Sequence, residues 1–191
     1  MGGLTTFLQG FGLSTASGLN AYIPLLAVGL LARFTNLIHL NEPYDLLTHP
    51  VVLIVLAVLA VLDFVADKIP TVDHVLHLAG LVIHPIAGAI LFLAANSSTG
   101  TVDPVLAVVC GLILAGGTHV ARAAVRPAST VTTAGVANPA LSLAEDSVSF
   151  LLSVLAILVP VLALVLILLL AVAVFLFLRR KWRRRAAARG V

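Results

Sequence analysis

Long apolar runs that do not alternate with polar residues constrain the fold of this chain more than any other feature. Residues 51–62 read VVLIVLAVLAVL, and residues 164–178 read LVLILLLAVAVFLFL. Strands of a membrane β-barrel alternate apolar and polar side chains, so these runs favour membrane-spanning α-helices instead. Only 10% of the residues are charged, against about 25% in an average soluble domain. We therefore predict an all-α, polytopic membrane bundle that forms a single domain over residues 1–178.

Hydropathy predicts five membrane segments, with residues 1–18 as a short amphipathic or re-entrant lead-in. The segments cover about residues 19–33, 50–66, 74–95, 104–125 and 149–178. The third segment is expected to be interrupted at His84-Pro85. The last one would be about 45 Å long as one helix, against a hydrocarbon thickness of about 30 Å. It must tilt, protrude or bend at Pro160, and a break at Pro160 would give six spans.

The C-terminal residues 179–191 form a basic tail. Six of the seven residues from Arg179 to Arg185 are cationic, which predicts a cytoplasmic C-terminus in a multi-pass protein of the bacterial inner membrane. Counting back through five spans leaves Lys68, Arg122 and Arg126 on the outer side. Either the count is off by one, or these cations are buried groups with partners, which is the interpretation we favour. Beside a membrane, the tail indicates contact with anionic lipids rather than with nucleic acid.

An imperfect internal repeat with a step of about 54 residues relates residues 50–97 to residues 104–155. His49-Pro50 corresponds to Asp103-Pro104, and Lys68 corresponds to Arg122. His84-Pro85 corresponds to Asn138-Pro139. Repeats in membrane proteins often frame a binding site or a pathway at their interface.

Two stretches, residues 67–85 and 126–147, fit neither a plain span nor a plain loop. Both are rich in Gly, Pro, Thr and small residues, and Asn138-Pro139 is a good helix-capping pair. Irregular backbone at membrane depth is tolerated only where it is buried in protein or lines a cavity. The stretches are either two re-entrant elements that frame a site or two ordinary loops with capped helices.

Charged residues near these stretches are the candidate site residues. Asp63 and Asp67 are one helical turn apart, and His119, Arg122 and Arg126 form one stripe. A carboxylate at the centre of a span costs about 2.5–3.5 kcal/mol on insertion scales, so such residues are kept only with partners, water or a function. The set is either a structural ion-pair network or a substrate or proton site, with Asp63 and Asp67 near Arg122 or Arg126. It comprises Asp63, Asp67, Lys68, His119, Arg122, Arg126, Asn138, Glu145 and Asp146.

Three histidines, His74, His77 and His84, are the candidates for metal ligands. They lack the tight spacing of ligand pairs, so we expect neither a metal site nor a cofactor. The chain also offers no nucleophile with an adjacent base, and we expect no enzymatic activity. Ala107, Gly111 and Ala115, at four-residue spacing, predict a close helix contact, either within the chain or at a homodimer seam.

The sequence resembles the bacterial integral membrane family catalogued as domain of unknown function 4126. The resemblance covers about residues 13–178 and rests on strings such as ADKIPTVD (66–73) and NPALSLAED (138–146). Where the family pattern leads us to expect arginine before Pro85, this chain has His84. The resemblance implies a small multi-span membrane protein, and it carries no activity or site residue with it.

Together these observations predict a small transporter or channel-like permease with a polar, charged site between the two repeats. Lys68, Arg122 and Arg126, with helix N-termini at Pro85 and Pro139, would favour an anionic solute. Asp63, Asp67 and Glu145 would serve as counter-ions or proton carriers. The alternative is a scaffold or lipid-binding assembly protein that transports nothing and whose charges are structural.

Overall fold

All regular structure in the described residues is helical, which confirms the predicted all-α class. The computed structural model describes the backbone of residues 2–66, 70–133 and 138–189, and the side chains of residues 2–65, 79–124, 139–177 and 179. A 3₁₀ turn at Tyr44–Thr48 precedes the third of the helices. The α-helices are α1 (Gly2–Leu19), α2 (Tyr22–Phe34), α3 (Pro50–Ala66), α4 (Pro70–Ser97), α5 (Pro104–Thr133), α6 (Asn138–Leu158) and α7 (Pro160–Arg189).

Four of these helices contain segments that are long and apolar enough to cross a membrane. α2 and residues 50–65 of α3 form shorter apolar helices. The predicted single span over residues 149–178 is wrong, because the chain breaks between α6 and α7 at Val159. Pro160 then occupies the first helical position, where its missing N–H costs nothing. The long-enough segments are Ala79–Ser97, Pro104–Ala124, Pro139–Leu158 and Pro160–Phe177.

The first helix, α1, lies in the centre of the bundle, where it packs against α4, α5, α6 and α7. The prediction of an amphipathic lead-in is therefore wrong. Small residues explain the burial, because they let neighbouring helices approach closely. A side chain at Gly10 would collide with Phe92, one at Gly12 with Ala156, and one at Gly18 with Thr118.

α1 and α2 form a hairpin that enters and leaves the bundle at the same end. Gly3 on α1 lies against Thr101, and Asn41, beyond the end of α2, bonds to Ser97 in the same α4–α5 connection. The helix break at Asn20 is the apex of this hairpin, which we call the α1–α2 apex. The alternative prediction for residues 1–18, a re-entrant lead-in, agrees with this hairpin, and its position relative to a membrane stays a prediction.

The predicted interruption of the third span at His84-Pro85 is wrong. α4 continues through Pro85, and the described part of residues 67–85, from Pro70 onward, is helical. Proline is tolerated inside membrane helices because neighbouring groups compensate for the lost hydrogen bond. In the stretch 126–147, α5 extends to Thr133 and α6 begins at Asn138, while residues 134–137 lie outside the described part. Its re-entrant character stays a prediction.

The small residues of α5 form a packing face within the chain. Ala107 and Ala115 are fully buried, and a side chain at Gly111 would lie 2.6 Å from the backbone of Gly88 and Ala89 on α4. This confirms the predicted contact within the chain, which occupies the stripe that a homodimer seam would need; a homo-oligomer stays a prediction.

The internal repeat also stays a prediction. Helices begin at both Pro50 and Pro104, where His49 Nδ1 and Asp103 Oδ1 accept first-turn N–H bonds. Gly117, the counterpart of Asp63, is exposed and has open space around it.

Candidate functional site

Asn20, at the α1–α2 apex, connects three elements through its side-chain amide. Its Nδ2 donates to Asp63 Oδ2 on α3 and to Asp146 Oδ1 on α6, at 3.0 Å in both cases. Its Oδ1 accepts the backbone N–H groups of Tyr22 and Ile23, at 2.9 and 3.1 Å. This is an N-cap for α2, which satisfies donors that the first turn of a helix leaves without partners. Asn20 is only 1% exposed, so two carboxylates converge on one buried amide nitrogen.

The C-terminal turn of α1 directs its carbonyl groups at polar side chains from the surrounding helices. Ser149 Oγ donates to the Ala16 carbonyl at 2.9 Å, and Arg122 Nη1 donates to the Leu19 carbonyl at 2.7 Å. The last carbonyls of a helix lack partners within the helix and carry the negative end of its dipole. A buried cation such as Arg122 is therefore favoured at this position.

Arg122 on α5 also forms an ion pair with Glu145 on α6. The Arg122 Nε atom lies 2.7 Å from Glu145 Oε2, and both side chains are nine-tenths or more buried. The guanidinium thus holds α6 with one nitrogen and the end of α1 with another. Charge-assisted bonds of this kind are about twice as strong as neutral ones, and they fix the geometry of the group that makes them.

Two buried histidines, His84 on α4 and His119 on α5, stack on each other beside the apex. Their ring centroids are 4.2 Å apart, with 28° between the ring planes. His84 Nδ1 donates to the Ser17 carbonyl, because a carbonyl oxygen can only accept. In the neutral ring the proton is then on Nδ1, and Nε2 is the atom that can take up another. Gly80 makes the stacking possible, since a Cβ there would lie 2.7 Å from His119 Cε1.

The apex lies deep in the bundle. At about 1.5 Å per residue, the part of α4 between Ser97 and His84 is about 20 Å long, against a hydrocarbon core of about 30 Å. His84, His119 and Arg122 all lie within segments apolar enough to span a membrane. These three residues of the cluster therefore lie within candidate membrane spans and not at their Ser97 end.

The structure brings together a subset of the predicted site residues, all near the α1–α2 apex. Asp67 and Lys68 lie outside the described residues. The side chains of Arg126, Asn138, His74 and His77 also lie outside the described part, although their backbones belong to α5, α6 and α4. The predicted residues that come together are Asp63, His119, Arg122, Glu145 and Asp146, joined by the metal candidate His84.

Sequence reasoning missed Asn20, Ser17 and Ser149. The signal was present in the string STASGLNA (14–21), where an amide follows a helix of small residues and precedes an apolar run. Asparagine at such a junction is a good N-cap. Among the described residues, no group of three or more His, Cys, Asp or Glu side chains has a geometry that could hold a metal ion.

Apolar helices that pack around a buried charged cluster define a polytopic helical membrane protein. The sequence profile of the family described as a domain of unknown function (DUF4126) matches residues 7–180. The chain therefore belongs to that family, as its resemblance implied. Comparisons with curated proteins and with solved structures find no match.

Proposed function

We propose that this protein is a small proton-coupled permease whose site is the α1–α2 apex. One observation carries the proposal: Asn20, at a helix break within the membrane, holds carboxylates from two other helices. Transport sites in many secondary transporters are built from such discontinuous helices, whose half-helix termini face the site. The proposal is transport rather than catalysis, and it requires no cofactor.

The charges of the described residues around the apex favour proton coupling over binding of an anion. Around the apex, the described residues include three carboxylates, Asp63, Glu145 and Asp146, and one guanidinium, Arg122. Arg122 is engaged by Glu145 and by the Leu19 carbonyl. Pro85, expected to begin a helix that faces an anion, lies inside α4. Of the other features predicted for an anionic solute, a helix N-terminus is present at Asn138, whereas Lys68 and the side chain of Arg126 lie outside the described residues.

The geometry of the two aspartates suits a carrier of protons. Both oxygens lie 3.0 Å from the same Asn20 nitrogen, so the two carboxylates are close together. Two carboxylates at such a separation repel each other when both are ionised, and a single proton between them relieves the repulsion. The stacked pair of His84 on α4 and His119 on α5, beside the apex, supplies further groups that can exchange protons.

The proposal includes an orientation with a cytoplasmic C-terminus. Because α6 and α7 are separate helices, counting back from the basic tail puts the end of α3 and the end of α5 on the cytoplasmic side. Lys68 and Arg126 then follow the positive-inside tendency. The connection from Ser97 to Asp103 faces outside, and the apex lies nearer the cytoplasmic face.

A flux assay in proteoliposomes tests the proposed function. Internal pyranine reports proton movement when inorganic phosphate, glutamate or choline is added outside. We expect one of these solutes to move protons through the wild type, and Asp63→Asn and Asp146→Asn to abolish that movement. Asp103→Asn is the matched control, because Asp103 is an exposed helix cap and asparagine caps equally well. Equal flux in Asp63→Asn and Asp103→Asn would contradict the proposal.

The alternative function is that of a membrane scaffold or assembly protein, in contact with lipids or with a second copy. Three hydrogen bonds favour it, because they hold the end of α1 to other helices. Asn20 bonds to Asp63 on α3, Arg122 on α5 bonds to the Leu19 carbonyl, and Ser149 on α6 bonds to the Ala16 carbonyl. Under this alternative, Asp63→Asn lowers the stability of the protein, and the proton flux of the variant equals that of the wild type. Flux that is lost without a loss of stability distinguishes transport from a scaffold.

A further inference from the structure

A groove between α2 and α6 leads from the surface of the bundle to the apex. Its volume is about 440 Å³, within the range of about 300–1,000 Å³ that ligand sites occupy. Four residues of α2 and Phe150 of α6 form apolar walls, and Asp146 and Ser147 form the polar part. The lining residues are Ile23, Leu26, Ala27, Leu30, Asp146, Ser147 and Phe150.

The groove opens toward the lipid. Phe150 is 56% exposed and lies in the middle of the membrane-spanning segment Pro139–Leu158, and Leu30 on the facing helix is also exposed. A molecule dissolved in the bilayer can therefore reach the groove sideways. A hydrated solute has no such route, because apolar walls cannot replace the water that it would lose.

The charge of the groove selects the kind of molecule. Asp146, the one ionisable residue among the described residues of the lining, is the carboxylate that shares Asn20 with Asp63. An acid at the inner end of an apolar groove complements a cation whose charge is spread over an apolar body. The charge meets Asp146, while the body contacts Leu26, Ala27 and Phe150.

We propose that the groove between α2 and α6 binds a lipophilic monovalent cation, which enters from the bilayer and pairs with Asp146. This names the substrate class of the apex site and in that sense rests on the proposed function. Cation and proton then compete for the same pair of aspartates, so binding weakens as pH falls. This competition is the means by which a proton gradient would drive the exchange.

Binding of tetraphenylphosphonium to the purified full-length protein in detergent tests the inference. We expect saturable binding that exceeds binding to empty micelles and that falls at least tenfold in Asp146→Asn. Ala27→Trp fills the groove and should abolish binding, whereas Val172→Trp, on the exposed face of α7, should leave it unchanged. Tetraphenylborate has the same shape and the opposite charge, and it should bind at least tenfold more weakly to the wild type.

The outcomes separate this inference from the proposed function. Equal binding of tetraphenylborate would overturn the inference on wild-type protein alone, even if Asp146→Asn fails to fold. A groove occupied by phospholipid chains or by a second copy would give binding insensitive to Ala27→Trp, which also overturns it. Proton flux with phosphate or glutamate, without binding of tetraphenylphosphonium, would support the transport function and contradict a cationic substrate. Binding of tetraphenylphosphonium without any proton flux would support the cation site and contradict the transport function.

Discussion

Asn20 and Asp146 lie 126 positions apart in the sequence and are joined by a buried hydrogen bond of 3.0 Å. The bond connects the break between α1 and α2 to the middle of a membrane-spanning helix. It also holds a carboxylate at membrane depth, where charged groups are costly. The consequences of this relationship for stability and transport can be measured separately.

Replacing Asn20 with alanine should destabilise the protein strongly. The change removes the N-cap of α2 and leaves Asp63 and Asp146 without their shared donor, so the free energy of unfolding should fall by about 2–4 kcal/mol. Asn41→Ala is the matched control, because Asn41 is exposed and bonds to Ser97 at the surface, and we expect a loss of less than about 1 kcal/mol. Denaturation followed by circular dichroism measures both. Equal losses of unfolding free energy in the two variants would mean that the buried bonds of Asn20 contribute no more than a surface hydrogen bond.

The ion pair of Arg122 and Glu145 should be strongly coupled. Arg122→Gln removes the guanidinium that pairs with the buried carboxylate of Glu145 and should cost about 3–5 kcal/mol. The double variant with Glu145→Gln should cost less than the sum of the two single variants, as for residues in direct contact. Arg122→Lys should not rescue the loss, because lysine cannot hold Glu145 and the Leu19 carbonyl in the same fork geometry. Arg33→Gln, at an exposed arginine, is the control. Additive effects within experimental error would contradict the coupling.

Close packing of α4 against α5 predicts opposite effects on stability when two glycines of α5, Gly111 and Gly117, are replaced by alanine. Gly111→Ala introduces a Cβ 2.6 Å from the α4 backbone, so it should destabilise the fold by about 1–3 kcal/mol. Gly117→Ala meets open space, so the higher helix propensity of alanine should make it neutral or stabilising by up to about 1 kcal/mol. Thermal unfolding in one detergent compares the two. The packing account fails if Gly111→Ala is as stable as the wild type.

The parts of the fold that follow from local chemistry could be predicted from the sequence. Pro50 and Pro104 begin helices where two of the predicted membrane segments begin. The residues around Pro160 are apolar on both sides, so hydropathy alone predicted one span here, and only Pro160 indicated the alternative break between α6 and α7. Hydropathy could not find α1 either, since a helix buried by small residues such as Gly10 and Gly18 is not strongly apolar.

The candidate site was predictable in its charges and not in its partners. Asp63 and Arg122 were found because a charge within an apolar segment is costly and must have a reason, and Asp146 was found because it precedes a predicted span. Their partners come from distant parts of the chain, and only the packing of α1 inside the bundle brings Asn20 to them. Sequence spacing has no information on that packing.

The proposed orientation predicts which end of the bundle is accessible from outside the cell. In a Cys110→Ala background, Ser98→Cys in the α4–α5 connection should react with a membrane-impermeant maleimide in intact cells. Ala140→Cys, at the start of α6, should react only after the membrane is permeabilised. Both positions are exposed on the bundle. The reverse pattern would place the basic tail outside and contradict the orientation.

The central claim, that the α1–α2 apex is a transport site, is tested most directly by proton flux through Asp146→Asn in proteoliposomes, with the unfolding midpoint measured on the same preparation. The account predicts that solute-induced flux disappears while the midpoint stays close to that of the wild type, and that Asp103→Asn retains both. Flux that persists in a folded Asp146→Asn protein would contradict the account and leave the aspartates a structural role.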